Sequence, residues 1–378
     1  MIIENLAING VNVEKCFLNE VTIEQSIYKP IIYGRVTFND SYYKYASEIL
    51  PGDSLTIEIK DVSENKAIRT DYTIYALQSE TPQQEVLYHE VLFCSQFVFG
   101  IYSKKVTGYY NDELVSDIVE DLLKKARVNI SKVEETVNKT SYTLPLWSIV
   151  NHISYLNRIP LNKTNGNGGY LLFPNFDGSM NYISRDYIIK ERMSTNVLKI
   201  IDDDTIGYPG NVSSLNLEKE IDLIKSLEMG IGRLKISSFS NDTSNIEKEI
   251  ISFQDIKRNR LTLNYPLKKS WTGFEENLYI NNSSSEECNA ILKNKLAKLS
   301  DPLVVNLQIP GSLVFKIGTI VNISYPSVIK LKEEDRRKTG WYLIQSIVTS
   351  VNIQESTHSQ ILSCVTDGYN KTNLKGLM

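Results

Sequence analysis

The sequence predicts an α+β protein that is mainly β, built on two related antiparallel β modules. Two observations carry this. Short runs rich in Val, Ile, Thr, Tyr and Trp recur between Pro, Gly and Ser clusters, as half-buried strands require. The same succession of runs then occurs twice, and an internal repeat sets the architecture of a chain.

The late copy is the clearer one. Val304-Val305-Asn306-Leu307-Gln308-Ile309 ends at Pro310-Gly311, and Ile320 to Tyr325 follows as a strand. After a charged loop come two long strands, Trp341 to Val351 and His358 to Thr366. In the early copy Pro51-Gly52 opens Leu55 to Ile59, a polar loop leads to Tyr72 to Leu77, and a turn at Thr81-Pro82-Gln83 leads to Tyr88 to Cys94. Strand order, loop positions and the closing cysteines, Cys94 and Cys364, correspond.

Upstream, Val21-Thr22-Ile23 and Ser26-Ile27 match Ile221-Asp222-Leu223 and Ser226-Leu227 at a constant offset of 200 residues. Gly34-Arg35-Val36 and Phe38 likewise resemble Gly232-Arg233-Leu234 and Phe239. A split second copy follows from this. The expected units are residues 1–105 for the first β module, 106–210 for an α+β domain, 211–240 with 304–370 for the second module, 241–303 for an insertion carrying a helix, and 371–378 for a tail.

Between the modules the periodicity changes. Leu114, Val115, Ile118, Leu122 and Leu123 form a helical stripe over 112–125, with Asn111 or Asp112 as N-cap. Pro145 is expected as the first residue of a second helix, with Leu146, Ile149, Val150, Ile153 and Leu156 as its stripe and Trp147 beside it. Asp177-Gly178 between Tyr170–Pro174 and Met180–Ile183 is a hairpin signal. Within the insertion, Ser284-x-x-Glu287 reads as a capping box before a helix that stops at Pro302.

The 378 residues are 42% hydrophobic and 23% charged, the balance of a folded chain able to bury real cores. A net charge of −4 argues against a nucleic-acid-binding surface, which is ordinarily basic. No apolar run approaches the ~20 residues that cross a bilayer, and the first residues lack a signal-peptide pattern. Cys16, Cys94, Cys288 and Cys364 have no CxxC spacing and read as small core hydrophobes in a reducing compartment. The 22 tyrosines suit surfaces buried by partners.

Catalytic signals are missing. There is no HExxH, Walker loop, GxSxG or GxGxxG, and none of His89, His152 and His358 has metal-ligand spacing to a cysteine. Asp202-Asp203-Asp204 matches no calcium loop and reads as a solvated linker. The glycines at 166, 168 and 169 precede a hairpin, not a helix N-terminus, which argues against phosphate binding. The charged run 330–338 reads as a solvated loop between strands. No catalytic residue, cofactor or metal site is therefore expected.

With these residues in view, the chain resembles the baseplate hub protein of contractile-tailed bacteriophages and the hub portions of type VI secretion spikes. The residues that carry the resemblance run in order: the first β module, Pro145 to Asn151, Gly168-Gly169-Tyr170 through Asp177-Gly178, Met229 to Arg233, and Ile309-Pro310-Gly311 through Asp367-Gly368-Tyr369-Asn370. The resemblance implies two tail-tube-like β-barrels, the second interrupted by an insertion, and a homotrimer that adapts a sixfold tail tube to a threefold central spike. It implies a non-enzymatic virion protein assembled in the host cytoplasm. Its partners would be the spike, tail-tube or tube-initiator proteins and a tape measure protein, with no sequence-specific nucleic-acid binding. A tail spike or receptor-binding protein, and less so a glycan hydrolase, are the alternatives. Arg35 and Arg233, each beside a strand glycine, are the candidate subunit-interface residues.

Overall fold

In a computed structural model of the chain, the described residues are 1–13, 15, 17–40, 49–61, 65–83, 86–200, 211–219, 233–240, 245–252, 277–281, 285–298, 303–325, 335 and 338–367. The first module consists of β1 (Ile2–Ile8), β2 (Val11–Asn12), β3 (Leu18–Ser26), β4 (Tyr33–Asp40), β5 (Ser54–Asp61), β6 (Lys66–Gln83) and β7 (Val86–Ser95). They pair antiparallel in the order β3-β4-β7-β6-β5-β1-β2. The alternation read in β5 is real: Leu55, Ile57 and Ile59 are buried while Thr56 and Glu58 are not. These side chains join Val21, Ile23, Val36, Phe38, Tyr72, Ile74, Val91 and Phe93 in one core.

A single π-helical turn (Phe99–Ser103) leads into the middle domain: β8 (Lys105–Leu114), α1 (Val115–Lys125), β9 (Ile130–Val133), β10 (Lys139–Ser148), α2 (Ile149–Leu156), β11 (Tyr170–Pro174), β12 (Met180–Ser184) and α3 (Arg185–Glu191). Two expectations need correction here. Residues 112–114 finish β8, so α1 starts three residues later, and Asp112 takes a left-handed φ of 54° instead of capping it. Pro145, Leu146 and Trp147 also remain extended within β10, at a register shift against β8, and α2 begins only at Ile149. A proline lacks the N–H that a ladder needs, so it fits the irregular point of a strand as readily as a first helical turn.

The chain continues through β13 (Met193–Ile200), β14 (Asn211–Val212), β15 (Ser214–Lys219), β16 (Arg233–Ser240), β17 (Asn245–Ser252), β18 (Asn277–Asn281), α4 (Ser285–Lys298), β19 (Leu303–Pro310), β20 (Ile320–Ser324), β21 (Gly340–Asn352) and β22 (Thr357–Thr366). The second module runs β15-β19-β22-β21-β20-β13. Strand for strand this repeats β3-β4-β7-β6-β5-β1. The fold is mainly β, with two tail-tube-like modules, each a sheet curled around its own core, antiparallel except where β13 joins the second.

The agreement reaches single residues. Both long strands bulge at matched points, between Ile74 and Ala76 in β6 and between Ile344 and Ser346 in β21. A left-handed glycine stands two residues before each following strand, Gly52 with φ 105° and Gly318 with φ 67°. Tyr72 beside Leu55 matches Tyr342 beside Val321, and both tyrosines are buried. The pairing aligns Phe93, not Cys94, with Cys364, one residue away from the expected match. At the outer edge the copies differ: β1 lies antiparallel to β5, but β13 lies parallel to β20.

The upstream match differs more. The strand equivalent to β3 is β15, and the partner equivalent to β4 is β19, which precedes the rest of the second module directly. Residues 221–227, which supplied the offset of 200, lie outside the described residues. Arg233–Ser240 forms β16, the centre of a separate three-stranded sheet with β17 and β18, instead of a strand of the second module. Two glycine-arginine pairs before an apolar run are too short a pattern to separate these alternatives.

Helix α4 docks on the middle domain. Asn294 Nδ2 donates to the Pro160 carbonyl at 2.9 Å, its Oδ1 accepts the Gly169 N–H at 2.8 Å, and Lys293 Nζ reaches the Gly166 carbonyl at 2.8 Å. A Cβ on Gly168 would stand 2.4 Å from the Asn294 side chain, so close approach of this helix accounts for that glycine. Behind the loop, Asp186 Oδ2 accepts the amide groups of Asn165 and Asn167, each at 2.7 Å. Ser284 and Pro302, the expected limits of the helix, lie outside the described residues, as do Asp202 to Asp204. Of the charged run, Asp335 and Lys338 are described, and Lys338 Nζ lies 5.2 Å from the Tyr325 ring centre.

Candidate subunit interface

The two modules join by strand pairing inside one chain. β21 is longer than its neighbour β20: Gly340 to Leu343 pair with β20, and on the same side Ser346 to Asn352 pair with β3 of the first module. The register sets Thr349 against Ile23, Ser350 against Thr22 and Val351 against Val21. An exposed strand edge is a template for pairing, and here the chain fills it with its own duplicate.

The matched half of β6 has no such partner. Lys66 to Thr73 pair with β5, whereas Ala76 to Gln83 pair only with β7 among the described residues. β15, the counterpart of β3, likewise pairs only with β19 among the described residues. Among the described residues, one edge of the first module and one of the second are thus the unfilled halves of the junction that β21 and β3 make.

Side chains repeat the same logic. His89 is fully buried and its Nδ1 lies 2.9 Å from Ser79 Oγ, with Asp40 Oδ2 3.6 Å from Nε2. Burial holds its pKa below the ordinary histidine value, although the nearby Asp40 pulls the other way. In the second module the matching positions are Gln360 and Thr349, and Gln360 Nε2 donates to Thr349 Oγ1 at 3.1 Å. Thr349 is in the internal junction, so Ser79 marks the equivalent place on the open edge.

Arg35 sits in β4, inside the sheet. Its guanidinium donates to Glu90 at 3.3 Å and Glu20 at 3.4 Å, both in its own chain, and Glu20 also accepts the hydroxyl of Ser350 across the internal junction. Its counterpart is Asn306, whose Nδ2 donates to Glu218 at 3.0 Å over the matching strand pair. The structure thus does not bring Arg35 and Arg233 together: Arg35 braces the junction of the modules, and Arg233 opens β16, where its side chain is not among those described. Sequence reading missed Glu20, Glu90 and the His89–Ser79 pair. Their signal was faint, since strand-face glutamates are common and His89 is matched by a glutamine.

The open face of this sheet is polar and mildly acidic. Glu20, Glu24 and Glu90 lie on it with Arg35, while Lys29 pairs with Glu24 at 2.7 Å. Among the described residues no group of three or more His, Cys, Asp or Glu is placed to hold a metal ion. Nor is any helix there long and apolar enough to cross a membrane.

No family model and no curated protein matches the sequence. Solved structures do. The 43 kDa tail protein of prophage MuSo2 from Shewanella oneidensis superposes with a TM-score of 0.63 at 12% identity, covering 97% of this chain and 99% of that one. A tail protein from Neisseria meningitidis gives 0.62 at 9% identity over 96% of each chain. An E. coli component of the type VI secretion system, described as similar to the T4 bacteriophage tail proteins gp27 and gp5, gives 0.54 at 10% identity over 98% of this chain and 80% of its own. Across nearly its whole length the chain has the fold of these tail and secretion-system proteins.

Proposed function

We propose that the protein is a non-enzymatic structural hub of a phage tail baseplate, a homotrimeric ring with a central channel. One observation carries the reading: β21 receives β3 within the chain, while the matched half of β6 and the matched strand β15 have unfilled edges among the described residues. Head-to-tail addition of β15 to β6 of the next copy repeats the internal junction, and such a contact generates a ring when its rotation closes, as this reading requires. Three chains then present six similar modules, which suits a joint between a sixfold tail tube and a threefold spike. The likeness to tail proteins supports a place in the virion tail, and assembly in the host cytoplasm is part of the same proposal. Tube, spike and tape measure proteins are the expected partners.

The register of the new seam follows from the internal one and sets Glu80 of one copy against Asn216 of the next. Cysteines introduced by Glu80→Cys and Asn216→Cys should therefore cross-link chains into a covalent ladder that stops at three. Facing strand residues lie within disulfide reach. The matched pair Thr22→Cys and Ser350→Cys should close within single chains. A double variant that never cross-links while that control does would end the ring reading. An interface role for Arg35 and Arg233 belongs to the same proposal: Arg35→Ala or Arg233→Ala should shift sedimentation toward lighter species, and an intact oligomer from both removes that role.

A further inference from the structure

A cleft of about 770 Å³ lies where the first module meets the middle domain, apart from the strand edges above. Arg69 of β6, Lys104, Lys125 of α1 and Arg127 line it, with Phe97 and Phe99 on the wall. Its shape has a structural cause: Gly100 packs so tightly on the end of α1 that a Cβ there would stand 2.2 Å from the Ala126 carbonyl oxygen.

The charges in this cleft are unequally engaged. Asp71 accepts the Thr56 hydroxyl at 2.7 Å, and Asp177 accepts the amide and hydroxyl of Ser179 at 2.9 and 2.6 Å. Lys125 pairs with Asp121 at 2.7 Å, and Lys104 Nζ is spent on the Lys125 carbonyl at 2.6 Å. The guanidiniums of Arg69 and Arg127 have neither an ion pair nor a side-chain hydrogen bond among the described residues. Arg127 is also held in the left-handed region, at φ 58°, which fixes its direction of departure from the helix end. Phe99 leaves 55% of its surface exposed beside them.

We infer that this cleft binds an acidic peptide segment that carries an aromatic or aliphatic side chain. Two unspent guanidinium forks suit carboxylates, and the phenylalanine wall suits the apolar residue between them. The volume falls within the ~300–1,000 Å³ typical of ligand clefts. The two acids in the wall oppose a run of phosphates, and their own hydrogen bonds hold them in place. A partner segment is favoured over nucleic acid on those grounds. The site is separate from the ring seam, so its failure leaves the hub reading untouched.

The test is fluorescence anisotropy on the full chain with a labelled pentapeptide of four glutamates around one phenylalanine. Saturable binding that weakens with added salt is expected, with none for the same peptide carrying lysines. The double variant Arg69→Gln, Arg127→Asn should weaken it at least tenfold, and asparagine tolerates the left-handed φ that Arg127 occupies. Circular dichroism confirms that the variant is folded, and Lys163→Gln, an exposed site outside the cleft lining, should bind as the parent does. Absence of binding, equal binding by the double variant, or displacement by duplex DNA at matched charge would overturn the proposal.

Discussion

Gly34 shows how closely single residues fix this sheet. A Cβ there would stand 2.1 Å from the Phe93 ring and 2.6 Å from the Thr22 carbonyl oxygen, so the large ring occupies room that only glycine leaves. The second module divides the same space differently, with Val305 opposite Cys364. Gly34→Ala is therefore expected to cost about 2–3 kcal/mol in chemical denaturation, in line with overpacking of a tight core. In a double-mutant cycle, Phe93→Ala should recover part of that cost, since the two sites share one space. Strict additivity would show that the Thr22 backbone contact dominates instead. His89 makes a prediction about acid. Its pKa in the fold lies below the ordinary value, as do those of His152 and His358, burial being the main cause for each. The unfolded chain then takes up these protons first, near pH 6.5, and stability falls as the pH drops from there toward the folded values. Each histidine contributes at most ~1.4 kcal/mol per pH unit to that slope. His89→Gln copies Gln360 of the second module and should flatten the loss between pH 6.5 and 5 in thermal melts. An unchanged slope would exclude His89 as a contributor.

At the level of elements, strands were legible wherever one face is buried. Alternation in β5 and the apolar runs of β19, β20 and β22 survive almost residue for residue, because a one-residue slip would turn every side chain to the wrong face. The downstream half of the duplication was readable for the same reason. Two things were not. The start of α2 was masked by Pro145, whose fixed φ suits a strand irregularity as well as a helix start. The partner of β4 was mistaken because a short apolar run with a leading glycine also fits β16, and only long-range pairing tells the two apart. The edges of β6 and β15 were invisible in the sequence, since an unfilled edge has no composition of its own. Pairing of those edges predicts that trimer formation and fold are separable: Asn216→Asp with Glu80→Asp keeps both strands polar but sets like charges face to face across the seam. The expected result is lighter species by light scattering with an unchanged far-ultraviolet spectrum.

For the whole molecule, the charge on the polar face of the sheet bears on the proposed channel. Glu20, Glu24 and Glu90 outnumber the cations described there, so a ring lined by this face should not retain DNA at physiological salt. Replacing all three by lysine should produce DNA retention in a filter-binding assay, and log affinity should fall steeply with log salt. Retention by the parent protein, insensitive to salt, would contradict a passive channel. The mass expected in solution is that of three chains, and a stable monomer across micromolar concentrations would contradict the ring.

The junction of β3 with β21 also bears on how fast such a ring is built. Two modules carried by one chain meet at an effective concentration set by their tether, in the millimolar range for short connections, and not by the abundance of the protein. In the proposed ring, half of the joints would be complete as soon as each chain has folded. Only encounters between whole chains remain concentration-dependent, and there are three of them where six separate modules would need six. Fewer bimolecular steps leave fewer partial arcs, and an arc with an open edge is the species most prone to grow in the wrong direction.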